Sequence, residues 1–108
     1  MKKRVLRNRR VPFRFIIMYG IKRPLEYRSF TADISDTGLF VKTNRVFTPG
    51  TRIYMTIKVH NNNFDCEGMV RWAKRVPPGL ERVARCGMGI KFSTVPQGLL
   101  NIYKEKIL

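Results

Sequence analysis

Apolar and polar residues alternate with a period of two along most of this chain. In Ile53-Tyr54-Met55-Thr56-Ile57-Lys58-Val59-His60 the apolar set is Ile53, Met55, Ile57 and Val59, and the residues between them face the other way. That is the pattern of a strand buried on one face. Residues 64–72 alternate too, which predicts Phe64, Cys66, Val70 and Trp72 inward. The polar stretch His60-Asn61-Asn62-Asn63 between the two runs reads as a turn, so they are expected to form a hairpin. Upstream, Phe13, Phe15, Ile17 and Tyr19 share one face of a strand ending near Gly20, and Lys22-Arg23-Pro24 reads as a turn. Residues 27–32 are the next strand, residues 33–38 interrupt it, and Leu39-Phe40-Val41-Lys42-Thr43 resumes extended structure. Thr48-Pro49-Gly50 and Pro77-Pro78-Gly79 are turns, and residues 86–92 form a last strand with Met88, Ile90 and Phe92 inward.

Only the C-terminus has a helical period. Thr94-Val95-Pro96-Gln97 has capping-box spacing, and Leu99, Leu100, Ile102, Tyr103, Ile107 and Leu108 give an apolar face to a helix over about residues 95–108. Six short antiparallel strands and one helix predict an all-β protein, a small barrel that leaves few unpaired edges.

The 108 residues fit one domain, and the 44% apolar share is ordinary for a globular core. No apolar run is long enough to cross a bilayer, and the basic start Met1-Lys2-Lys3-Arg4 is not followed by a signal-peptide core, so a cytoplasmic location is expected. Cys66 and Cys86 are the only cysteines and His60 the only histidine, which does not make a metal site. The two thiols read as small, reduced strand residues; a disulfide would need their strands to be neighbours. No serine–histidine–acid pattern, no H-E-x-x-H and no G-x-x-x-x-G-K phosphate loop is present, and carboxylates are scattered. Enzyme function is not expected.

Charge changes the picture more. There are 22 basic against 7 acidic residues, a net charge of +15. Such an excess predicts an anionic partner. It is also uneven, because the first acidic residue is Glu26. Residues 1–12 form a basic arm carrying Arg7, Arg9 and Arg10, ahead of a barrel domain over residues 13–108. Val11-Pro12 favours an extended backbone directly after Arg10. Guanidiniums bind phosphates and guanine edges bidentately. The turn Asp33-Ile34-Ser35-Asp36-Thr37-Gly38 supplies what an arginine arm lacks: carboxylate and hydroxyl acceptors, and a glycine for close approach. Together they suit a compact anionic ligand containing guanine.

Asp33-x-Ser35-x-x-Gly38 followed by Leu39-Phe40-Val41 resembles the signature of PilZ domains, the bacterial receptors for cyclic di-GMP. Arg9-Arg10-Val11-Pro12-Phe13 is similar to the arginines that lead into that family's first strand. Pro49-Gly50-Thr51 resembles its middle section, Gly68-Met69-Val70-Arg71-Trp72 its G-x-V-x-W strand, and Gly87-Met88-Gly89-Ile90-Lys91-Phe92 its closing G-x-G-I-x-F strand. The resemblance covers nearly the whole chain. It implies a six-stranded antiparallel barrel with a C-terminal helix, and cyclic di-GMP as ligand. Arg7, Arg9 and Arg10 would clamp it, Asp33 and Ser35 would bond guanine or hold the arginines, and Gly38 would permit the tight turn. Arg14, Trp72 and Gly89 make a secondary set. The family's role further implies a switched contact with a downstream protein, in motility or biofilm regulation, by a monomer or weak dimer.

One departure stands out. The family's R-x-x-x-R pair has its second arginine at Arg10, but the position four residues earlier holds Leu6, and Arg7 is offset by one. The literal R-x-x-x-R is Arg10 to Arg14, with Arg14 expected inside the first strand and facing away from Phe13 and Phe15. Two other readings follow from the same residues. One is a PilZ-like interaction module that does not take the nucleotide. The other is a basic nucleic-acid-binding barrel using Tyr54, Phe40 and Lys58.

Overall fold

A computed structural model describes residues 9–107. The elements are β1 (Val11–Pro12), β2 (Ile16–Gly20), β3 (Tyr27–Ile34), β4 (Gly38–Lys42), β5 (Arg52–Val59), β6 (Asn62–Lys74), β7 (Gly87–Thr94) and α1 (Gln97–Ile107). Antiparallel pairing runs in the order β3-β2-β5-β6-β7-β4, and β4 pairs back onto β3. This closes the six-stranded barrel expected from the sequence; β1 is a short extra strand on β3.

The alternation of β5 is realised as read: Ile53, Met55, Ile57 and Val59 are buried inside the barrel. Its hairpin with β6 is tighter than the four polar residues suggest. Val59 pairs with Asn62, leaving His60-Asn61 as the turn, with His60 in the left-handed region at φ 56°. Cys66 and Cys86 are buried and not bonded to each other. Burial pushes the Cys66 thiol up to about 12, so it stays protonated and packs as a small apolar group.

The strand expected from Phe13 to Tyr19 is two pieces. Between β1 and β2 the hydroxyl of Thr31 takes the place of a ladder partner: Phe15 N–H donates to it at 3.0 Å, and it donates to the Phe13 carbonyl at 2.5 Å. Buried Thr31 is thereby satisfied. At the other end, α1 starts one residue after Pro96, whose carbonyl accepts from Leu99 N and Leu100 N. The capping box does not form, because the Gln97 amide reaches forward to Asn101 at 3.0 Å. Leu99 and Tyr103 bury against the barrel, and Tyr103 donates to the Arg9 carbonyl at 2.7 Å, tying the root of the arm to the helix. Burial raises the Tyr103 hydroxyl above the usual phenol range, which keeps it a donor.

Two β-bulges decide which side chains reach the outer surface. On β3, Thr31 pairs with Val41 and Asp33 with Phe40, so Ala32 is an extra residue. On β6, Val70 pairs with Ile90 and Trp72 with Gly89, so Arg71 is extra. Strict alternation would point Asp33 and Trp72 into the core, beside Thr31 and Val70; each bulge re-aims its residue outward. The inward Trp72 read from the sequence is corrected by this inserted residue. The result is one row of cross-strand neighbours on the outer face: Asp33, Phe40, Gly89 and Trp72. At ~4.8 Å between strands the row spans roughly 14 Å. Gly89 has no side chain to separate its neighbours, so the Phe40 and Trp72 rings stack across it, 5.1 Å apart and 17° from parallel. A Cβ on Gly89 would lie 2.0 Å from the indole nitrogen.

Gly38 is required for another reason. A Cβ there would lie 2.1 Å from the backbone oxygen of Ile90, where β4 meets β7 and completes the barrel. Backbone cannot swing aside as a ring can. Gly38→Ala is therefore expected to lower stability by about 1–3 kcal/mol in chemical denaturation. Gly89→Ala is expected to leave the fold intact but displace the indole, shifting the emission of Trp72, the only tryptophan. Unchanged emission in a folded Gly89→Ala chain would contradict the stacking geometry.

Candidate ligand site on the outer face

The bulge at Ala32 leaves the Asp33 carboxylate partly exposed at the edge of the row. Arg10, leaving the arm one residue before β1, donates from Nη1 to Asp33 Oδ1 at 2.7 Å. The pairing of β1 with the end of β3 sets this contact, since Val11 lies opposite Ile34 and Pro12 opposite Asp33. With the arginine half-exposed, the pair contributes at most about 1 kcal/mol to folding. Its effect is orientation: it holds one guanidinium over the barrel wall and leaves other N–H groups to donate.

Next to this pair is a groove of about 370 Å³ lined by Arg10, Thr37, Gly38, Arg71, Trp72, Gly89, Ile90 and Lys91. Three of these are cations, Arg10, Arg71 and Lys91, and one is a partly exposed indole. Such a lining suits a planar, anionic molecule: a ring surface for stacking, cations for phosphate, and a glycine floor for close approach.

The residues singled out in the sequence separate into distinct places. Arg10, Asp33, Gly38, Trp72 and Gly89 converge on this face. Ser35 does not face the groove. It is buried, its Oγ accepts from Thr37 N at 3.2 Å, and its N–H donates to the Gly38 carbonyl at 2.8 Å, so it shapes the turn. Arg9 is exposed beside the site and is anchored through its carbonyl to Tyr103. Arg14 goes elsewhere: its guanidinium covers the Phe30 ring at 4.4 Å. Arg7 lies outside the described residues.

Three cations of the site, Arg71, Lys91 and Arg85, were not singled out from the sequence. Arg71 reaches the groove because it is the inserted residue of a bulge, which leaves no mark on a binary pattern. Arg85 lies in the loop between β6 and β7, with Nη2 3.6 Å from Asp33 Oδ2 and its guanidinium 4.2 Å from the Phe40 ring centre. Nothing in its local sequence separates it from the neighbouring loop arginines. Phe40 is buried under these neighbours and offers no free face for stacking a nucleic-acid base.

A second hollow, lined by Tyr27, Asn44, Arg45, Val46, Phe47 and Arg75, contains none of the expected site residues. Among the described residues no cluster of His, Cys, Asp and Glu could hold a metal ion, and no helix is long and apolar enough to cross a membrane.

Comparison with known proteins agrees with this architecture. No curated protein matches the chain. Among solved structures, the Bacillus subtilis inhibitor of motility, MotI/DgrA, superposes with a TM-score of 0.70 at 17% identity, over 95% of this chain and 48% of that one. The likeness is one of fold, and the chain spans about half the length of that protein. The family model for the PilZ domain matches residues 5–107. The chain belongs to the PilZ domain family, regulatory binding modules known as receptors for cyclic di-GMP.

Proposed function

We propose that this domain is a cyclic di-GMP receptor that takes the nucleotide along the outer row of the barrel and has no catalytic role. The observation that carries the reading is the Arg10–Asp33 pair, 2.7 Å apart, at the edge of a groove with a tryptophan wall and a glycine floor. Asp33 orients Arg10 so that free N–H groups meet a phosphate or a guanine O6/N7 edge. Trp72 offers a ring face to a base, Gly89 lets the ligand approach the backbone, and Arg71 and Lys91 supplement the positive field. Arg9, and Arg7 outside the described residues, add guanidiniums from the arm.

The arm, residues 1–12, is the switch segment, and the barrel from residue 13 onward is the platform. Engagement of the arm by the ligand changes the surface beside Asp33 and α1, and so alters contact with a downstream protein. A neighbour in fold is described as an inhibitor of motility, and regulation of motility or biofilm is the process we assign to this chain as well.

Calorimetric titration of the folded chain with cyclic di-GMP tests the reading. Saturable binding is expected, weakened about tenfold or more by Arg10→Ala and by Asp33→Ala, since each removes a charge-assisted contact. No heat at high micromolar ligand, from protein shown to be folded, would sink the receptor reading. It would favour a PilZ module that binds its partner without nucleotide, in keeping with Leu6 at the position of the missing arginine.

A further inference from the structure

We propose that Arg85 supplies the second ligand-clamping guanidinium of this domain, in place of the arginine that the arm lacks at Leu6. The proposal rests on the cyclic di-GMP reading above and adds a residue from the opposite side of the site.

Two guanidiniums share one carboxylate. Arg10 is bound to Asp33 Oδ1, and Arg85 stands 3.6 Å from Oδ2. A single negative charge between two positive ones leaves a net positive centre on the outer row. A phosphodiester placed between the two cations would relieve their mutual repulsion, with attraction at both ends. No second carboxylate forms an ion pair with either arginine among the described residues.

Arg85 is also held in a definite pose. Its chain neighbour Cys86 is buried, and Gly87 opens β7 at φ 148°, a conformation that fixes where the loop enters the strand. The guanidinium lies over Phe40, 4.2 Å from the ring centre, and Phe40 is in turn packed against Trp72. Stacking on a buried ring sets the plane of the fork, which lowers the entropy cost of presenting it to a ligand. Yet the side chain remains 62% exposed, so most of its five N–H donors are open to an incoming anion.

The sequence departure gains an explanation. Where the family pattern draws two arginines from one arm, this chain has Arg10 on the arm and Arg85 on the loop before β7. The two approach Asp33 from opposite sides of the row.

Calorimetry with cyclic di-GMP on the full chain tests this with Arg85→Ala and Arg85→Lys, thermal melting being used to confirm folding. Arg85→Ala is expected to weaken affinity about tenfold or more, the size of one lost charged contact. Arg85→Lys retains the charge and an ion pair to Asp33 but not the planar, stacked fork, so it is expected to remain close to the alanine variant. Affinity of Arg85→Ala within twofold of the unaltered chain would overturn the proposal. So would full rescue by lysine, which would make Arg85 only a charge that positions Asp33. If the unaltered chain itself gives no heat, the receptor reading falls and this one with it; if it binds and Arg85→Ala binds equally, only the role of Arg85 falls.

Discussion

Two inserted residues, Ala32 in β3 and Arg71 in β6, are the constraint on which the outer face depends. A strand points every second side chain inward, so a strand of unbroken period would spend Asp33 and Trp72 on the core. A carboxylate in that interior would be costly without a partner, and an indole would crowd Val70 and Ile90. One extra residue in each strand reverses the phase. After the bulges, Asp33 stands beside Phe40 and Trp72 beside Gly89, and the four form a continuous row across four strands. The barrel core is preserved on the inner side, where Ile34 still meets Leu39 and Ala73 meets Met88.

Closure of the barrel through β4 makes that row possible. This strand has only five residues and pairs on both edges, with β3 and with β7. Its first residue must be glycine for the Ile90 carbonyl to approach, and Gly89 and Gly87 on β7 leave room for Trp72 and Phe40. The same economy of side chains that lets strands pack closely opens the groove beside Asp33. The steric need for glycine and the floor of the candidate groove coincide on this strand.

Much of this was legible in the sequence. The alternation of β5 and β7, the polar turn after Val59 and the helical period at the C-terminus placed the barrel and its helix. The turn after Asp33 and the glycines of the last strand fall on the candidate groove. What escaped was every feature that depends on phase rather than pattern. Trp72 reads as inward because periodicity cannot register one inserted residue. The break at Phe13–Phe15 depends on a threonine from another strand, and the cap of α1 falls at Pro96 because the Gln97 amide bonds forward to Asn101. Arg85 was invisible because its importance comes from the tertiary approach of a loop to Asp33. The G-x-G spacing was the available clue: alternate glycines on one face of a strand signal that something large lies across it, here the stacked rings of Phe40 and Trp72.

The central claim is that the nucleotide lies on this row and not elsewhere on a strongly basic surface. Trp72 is the only tryptophan and forms one wall of the groove, so its fluorescence reports occupancy directly. Titration with cyclic di-GMP should change the Trp72 emission in a saturable way, at the same concentrations that give the heat of binding, and in Asp33→Ala the change should move to about tenfold or more higher ligand. A measured heat of binding with Trp72 emission unmoved would place the ligand on another face and contradict the site.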